Sequence, residues 1–246
     1  MEGGKMGTGA EGERKPIWFH YKFTSPQQQI REFHVELDPD TLTLVGRERA
    51  DYPAWTRLTH QQCSNCPLQP REHPRCPVAA SLVEVVDHFK DALSYEETEV
   101  EIATPSRVYR KRAPLQNGLS ALVGIYMVTS GCPILDKLRP LVHSHLPFAT
   151  LEETTYRAVS MYWLAQFFRK QRGQEPDWEL EGLAKIYGEI MKVNRCFHRR
   201  ISEVYIGDAG LNALIQLDCF AQFTNRMLLK KNLGEIEHLF HAYLEE

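Results

Sequence analysis

The spacing of apolar residues is mostly that of strands near the start of this chain and that of helices later, and this shift limits what it can fold into. Near the start the period is two. Phe19, Tyr21 and Phe23 alternate with Trp18, His20 and Lys22, and Phe33, Val35 and Leu37 alternate with Glu32, His34 and Glu36. Alternation of this kind marks half-buried strands. Ser25-Pro26 and Asp38-Pro39-Asp40 supply turns, and residues 41–45 read as a third strand. Val100 and Ile102 suggest a further strand running towards Tyr109.

Helical spacing takes over in the second half. Residues 81–93 read as a first helix, with Leu82, Val85, Val86 and Phe89 on one face. From Leu115 a helix with Leu119, Leu122, Val123 and Tyr126 on one side should stop at Gly131, because glycine tolerates the left-handed C-terminal position. Thr150 and Glu153 form a capping box at the head of a helix that Gly173 ends. Asp177 is placed to cap the next, which buries Leu180, Leu183, Tyr187, Ile190, Phe197, Ile201 and Val204. Asp208 opens another, through about residue 231, and residues 235–244 form a last short one. The expected fold is α+β: a small N-terminal antiparallel β meander and a Cys-rich loop, packed on a mainly α-helical bundle. The expected division is a disordered leader over 1–14, a sheet with a Cys-rich metal-site segment over 15–112, and a helical bundle over 113–246.

The loop carries the chemistry. Residues 46–80 hold five prolines and Cys63, Cys66 and Cys76, in Cys63-Ser-Asn-Cys66-Pro and His73-Pro-Arg-Cys76-Pro. Two thiolates three residues apart can turn inward on one metal, and Cys76 lies within loop reach. Cys132, in Ser130-Gly131-Cys132-Pro133, is the expected fourth ligand, with His60 or His73 as alternates. With 14 prolines in 246 positions, six cysteines would be followed by proline roughly 0.3 times by chance, whereas Cys66, Cys76 and Cys132 all are. Cys196 and Cys219 lie in helical patterns, where packing as small apolar side chains is expected. One close pair with two separated cysteines suits either zinc or an iron–sulfur cluster.

Residues 1–15 contain no apolar core of a signal peptide, and the longest apolar run, residues 121–128, is too short to span a bilayer. A reducing cytoplasmic setting is therefore expected, where clustered thiols point to metal or redox chemistry rather than bridges. The net charge of -3 argues against a protein that coats nucleic acid.

A second constellation follows Cys132. Arg139, His143, His145 and Glu152 could line a pocket for acid–base chemistry. Against this, Glu153 is accounted for by the capping box, and no zinc-protease helix motif, phosphate loop or nucleophile elbow occurs. The basic run Arg107, Arg110, Lys111 and Arg112 reads as a charge-guarded strand edge. Tyr162, Trp163, Phe167 and Phe168 read as core packing on a helix apolar nearly all round.

Cys-Ser-Asn-Cys-Pro-Leu, Cys-Pro-Val-Ala, Thr-Ser-Gly-Cys-Pro and His-Leu-Pro-Phe-Ala-Thr together resemble a family of uncharacterised bacterial proteins with no established activity. The resemblance runs over residues 18–200 and includes Leu37-Asp38 with Thr41-Leu42, Trp55-Thr56, and Gln116. It carries over Cys63, Cys66, Cys76, Cys132 and His145 as pattern residues. It departs at Ser25-Pro-Gln-Gln-Gln, where the family pattern has a glycine turn, and does not reach the helices after Asp208.

Three readings follow. The first is a soluble zinc or iron–sulfur thiolate protein with a structural, redox-sensing or metal-sensing role. The second is an enzyme whose pocket beside Cys132 uses Arg139, His143, His145 and Glu152. The third is a helical module that binds a protein partner.

Overall fold

The computed structural model describes residues 15, 17–46, 49–231 and 233–245; the expected leader over 1–14 lies outside them. Strands β1 (Ile17–Thr24), β2 (Ile30–Leu37), β3 (Glu97–Ala103) and β4 (Val108–Pro114) form one antiparallel sheet in the order β2-β1-β3-β4. The fold is α+β, as the change of period implies. Phe19 faces Val35 and Tyr21 faces Phe33 across the β1–β2 pair. On the other side of β1, Tyr21 faces Ile102 and Phe23 faces Val100. All of these are buried on one face, while their polar neighbours turn out.

The third strand of this sheet is β3, from far along the chain, and not residues 41–45. Asp38 accepts the backbone N–H groups of Asp40 and Thr41, and Leu42 takes a left-handed conformation at φ 57°. These bend the chain away from extended pairing, so that only Leu44 bridges back, to Leu37. The basic run lies on β4, the outer strand. Arg110 pairs with Glu99 and Glu101 of β3, and Arg112 with Glu97, which neutralises most of its charge.

The helix expected over 81–93 starts earlier and breaks. It is α1 (Pro77–Ser81) and α2 (Val83–Phe89), with Leu82 between them out of helical conformation. Phe89 of α2 packs its ring edge on Phe23 of β1 at 5.2 Å. Helix α3 (Leu115–Thr129) crosses the same face of the sheet and ends at Gly131, whose φ is +86°. A 3-10 helix spans Leu135–Val142. Helix α4 (Leu151–Gln171) begins with the Thr150–Glu153 capping box, both bonds being present. Helix α5 (Glu181–Ser202) follows a left-handed Leu180, and Asp177 accepts the N–H of Gly182 at 2.6 Å, so it caps from upstream of the helix. The predicted inner stripe of α5 is buried except for Val204, beyond its end and half-buried. Helix α6 (Ala209–Leu229) packs along α5 and under α3. Asp208 stands at its head, but its carboxylate accepts the N–H and hydroxyl of Ser94, tying α6 to the chain before β3. The last predicted helix is broken into α7 (Gly234–Glu237), a 3-10 turn and α8 (His241–Leu244).

One hydrophobic core joins the sheet to α2, α3, α4, α5 and α6. The aromatic stretch of α4 is an exception to the expected packing. Tyr162 is buried, but Trp163, Leu164, Phe167 and Phe168 are exposed by 39% to 55%. No helix among the described residues is long and apolar enough to cross a membrane.

Candidate functional site

The loop between β2 and α1 lies against α5 because a side chain of each bonds the other. Arg200 of α5 is fully buried and donates to the carbonyls of Trp55 and Arg57 at 2.7 Å and to that of Leu58 at 3.4 Å. A buried guanidinium with that many carbonyl partners holds irregular backbone where no sheet could. Further along, the Asn65 amide donates to the carbonyl and carboxylate of Glu189, also on α5. The Cys63–Cys66 pair is a tight turn closed by the Cys66 N–H on the Cys63 carbonyl at 3.0 Å.

The Cys-Pro steps acquire a physical reason here. Cys76 is the N-cap of α1 and Pro77 its first residue, a position where the missing N–H sacrifices no helical bond. The amides of Val78 and Ala79 then favour the Cys76 thiolate without forming a capping hydrogen bond to its sulfur. Cys132 repeats the device: Pro133 follows, the Asp136 N–H returns to the Cys132 carbonyl, and the amides of Ile134 and Leu135 favour the thiolate.

These elements bring the four cysteines together. Burial pushes the Cys63 thiol up to about 12, and the nearby sulfurs of Cys196, Cys76, Cys66 and Cys132 push the same way. Burial also raises Cys76 and Cys132; the amides and, for Cys76, the Arg200 guanidinium oppose it without prevailing. Cys196 is the fifth member. Its α5 position is buried, as the packing expectation holds, but it also sits among the thiols. Burial raises it most, yet the Ser64 N–H, the Arg199 guanidinium at 3.2 Å and the Cys63 thiol together bring it below the usual range. Cys219 is exposed and apart. All six cysteines are free thiols. Among the described residues, no group of three or more His, Cys, Asp or Glu has the geometry to hold a metal ion. His60 is drawn to Glu203, 3.0 Å away, and His73 is exposed.

The second constellation is dispersed. His143 and Glu152 are exposed. Arg139 pairs with Asp136 and donates to the Thr41 carbonyl at 2.7 Å, which fastens the 3-10 helix to the loop after β2. His145 alone turns inward. Its Nε2 lies 2.6 Å from the Tyr21 hydroxyl, and its ring meets Phe19 edge-on at 5.3 Å. Burial, with a smaller contribution from Arg157, lowers His145 to about 3, so it is a neutral ring that pins residues 143–149 to the sheet. Arg157 of α4 donates to the carbonyls of Leu141 and Ser144 and holds the same loop from the other side.

A family model described as "Domain of unknown function (DUF6901)" matches residues 18–241. The chain belongs to this family. No curated protein and no solved structure matches it. The DUF6901 match extends past α5 through α6 and α7, so the resemblance that stops at 200 covers too little. Sequence reading of this DUF6901 chain misses Cys196, Arg199 and Arg200. The usable signal is Arg200 itself: an arginine beside Ile201 on the buried stripe of α5 calls for a buried partner.

Proposed function

We propose that this DUF6901 chain is a metal-thiolate protein in which Cys63, Cys66, Cys76 and Cys132 hold an iron–sulfur cluster, with a structural or redox-sensing role. The observation that carries this reading is the meeting of thiols from two distant stretches, 63–76 and 132, in one place between the loop, the 3-10 helix and α5. Burial first, and then repulsion from the neighbouring sulfurs, opposes ionisation of the Cys63 thiol. A cationic centre relieves that repulsion. The amides next to Cys76 and Cys132 favour their thiolate forms, which supports the same reading.

Iron–sulfur is favoured over zinc on spacing. Four sulfurs each about 2.3 Å from one zinc lie within about 4 Å of one another. Structural zinc sites commonly use two close cysteine pairs, and only Cys63 with Cys66 forms one here. A polynuclear cluster takes four thiolates set wider apart.

The test is metal, sulfide and absorption analysis of the full chain purified without oxygen. Iron and acid-labile sulfide near stoichiometry, with broad brown absorption that Cys132→Ser removes, is the expected result. Zinc without sulfide would replace the cluster by a mononuclear site. Neither metal, before or after reconstitution, would sink the metal-thiolate reading.

A further inference from the structure

Beneath α3 a cavity of about 510 Å³ opens between α3, α4, α5, α6 and the 3-10 helix, with Lys111 of β4 at its edge. That volume is in the range of small-molecule pockets. Most of its wall is apolar, from residues such as Ile125, Leu138, Leu217 and Phe220. The charged exceptions share a sign. Arg157 and Lys111 line the cavity, and no carboxylate does.

Arg157 is the more informative of the two. It makes no ion pair with any carboxylate among the described residues, and its Nε is buried without a hydrogen-bond partner. Only its Nη2 is engaged, on the two loop carbonyls. Burial works against its charge, and Glu153 supports it only from beyond ion-pair distance, so an anion in the cavity would stabilise it further. The carboxamide oxygen of Gln216, also on the lining, is buried and unpartnered. Both residues line an otherwise apolar wall, and a few convergent polar groups in such a wall mark where a ligand's polar end is received. His145, neutral and already bonded to Tyr21, does not compete for the anion.

We propose that this cavity binds a small molecule with an apolar body and a single carboxylate, which Arg157 receives and Lys111 attracts. The inference is independent of the metal reading, because none of the cysteines lines the cavity. Decanoate is the probe and decanol its uncharged control, titrated into the full chain by calorimetry and by thermal shift. Decanoate should bind saturably at one site, and decanol about tenfold more weakly or worse, as expected for loss of a charge-assisted bond. Ala121→Leu, which fills the cavity, should weaken both. Arg157→Gln should remove the preference for decanoate, so that decanoate and decanol bind alike. Should that variant fail to fold, the exposed Lys111→Gln must reduce the preference instead. The proposal is overturned if decanoate does not saturate, if decanol binds equally well, or if Ala121→Leu leaves binding intact.

Discussion

His145 enters the folded state without a proton, and this has a definite consequence for stability. Its folded value is about 3, while in the unfolded chain it returns to about 6.5. Above that range neither state binds the proton, and stability does not depend on this residue's titration. Below it, the unfolded chain takes up a proton that the folded chain refuses, so stability falls as pH falls towards the folded value. The slope is at most about 1.4 kcal/mol per pH unit, or about 2 kcal/mol between pH 7 and pH 5. Urea unfolding at those two values checks this, with His145→Gln expected to flatten the difference; an unchanged slope in the variant would assign the loss elsewhere. At this scale the sequence is an uneven guide. A C-x-x-C and three Cys-Pro steps are visible as local patterns, because turn chemistry and N-terminal prolines act over a few residues. Cys196 is not, since a cysteine on a buried helical stripe looks the same whether it packs or faces other thiols. His143 and His145 share a motif but not an environment: the loop turns one out and one in.

At the level of elements, α3 approaches the sheet closely at Gly118. A Cβ on Gly118 would lie 2.7 Å from Val100 and 2.9 Å from Phe23, both buried. Gly118→Ala would gain up to about 1 kcal/mol of helix propensity. Overpacking against two immobile core side chains costs about 1–3 kcal/mol, so the net effect should be destabilising. Chemical denaturation decides it, and a more stable variant would mean that the sheet can move away from α3. The ends of α3 and α4 are readable from sequence because caps are short-range: Gly131, Gly173 and the Thr150–Glu153 box all stand where expected. The break at Leu82, the left-handed Leu180 and the loss of a strand at 41–45 are settled by partners distant in sequence or by backbone bends, which periodicity does not report. The exposed aromatic face of α4 has the same cause. Spacing shows that a helix is apolar on several sides, but not that too few neighbours exist to cover them all.

For the whole molecule, the order β2-β1-β3-β4 has a kinetic meaning. The β1–β2 hairpin joins neighbours in sequence, but β1 meets β3 only after residues 38–96 have been drawn into a ring. Closing a ring of that length is slow relative to forming hairpins and helices, because entropy is lost before contacts reward it. The β1–β3 seam should therefore be formed in the transition state for folding, and the outer helices completed later. Ile102→Val on β3 should slow refolding, whereas Ile190→Val on α5 should chiefly hasten unfolding, each at a stability loss of about 1 kcal/mol. Stopped-flow chevrons distinguish the two, and an unaltered refolding rate for Ile102→Val would place the seam late. The ring contains Cys63, Cys66 and Cys76. Its closure would carry those thiols towards the helices during the rate-limiting step, so the polypeptide gathers its sulfurs by strand pairing, before any ligand has to pull them in.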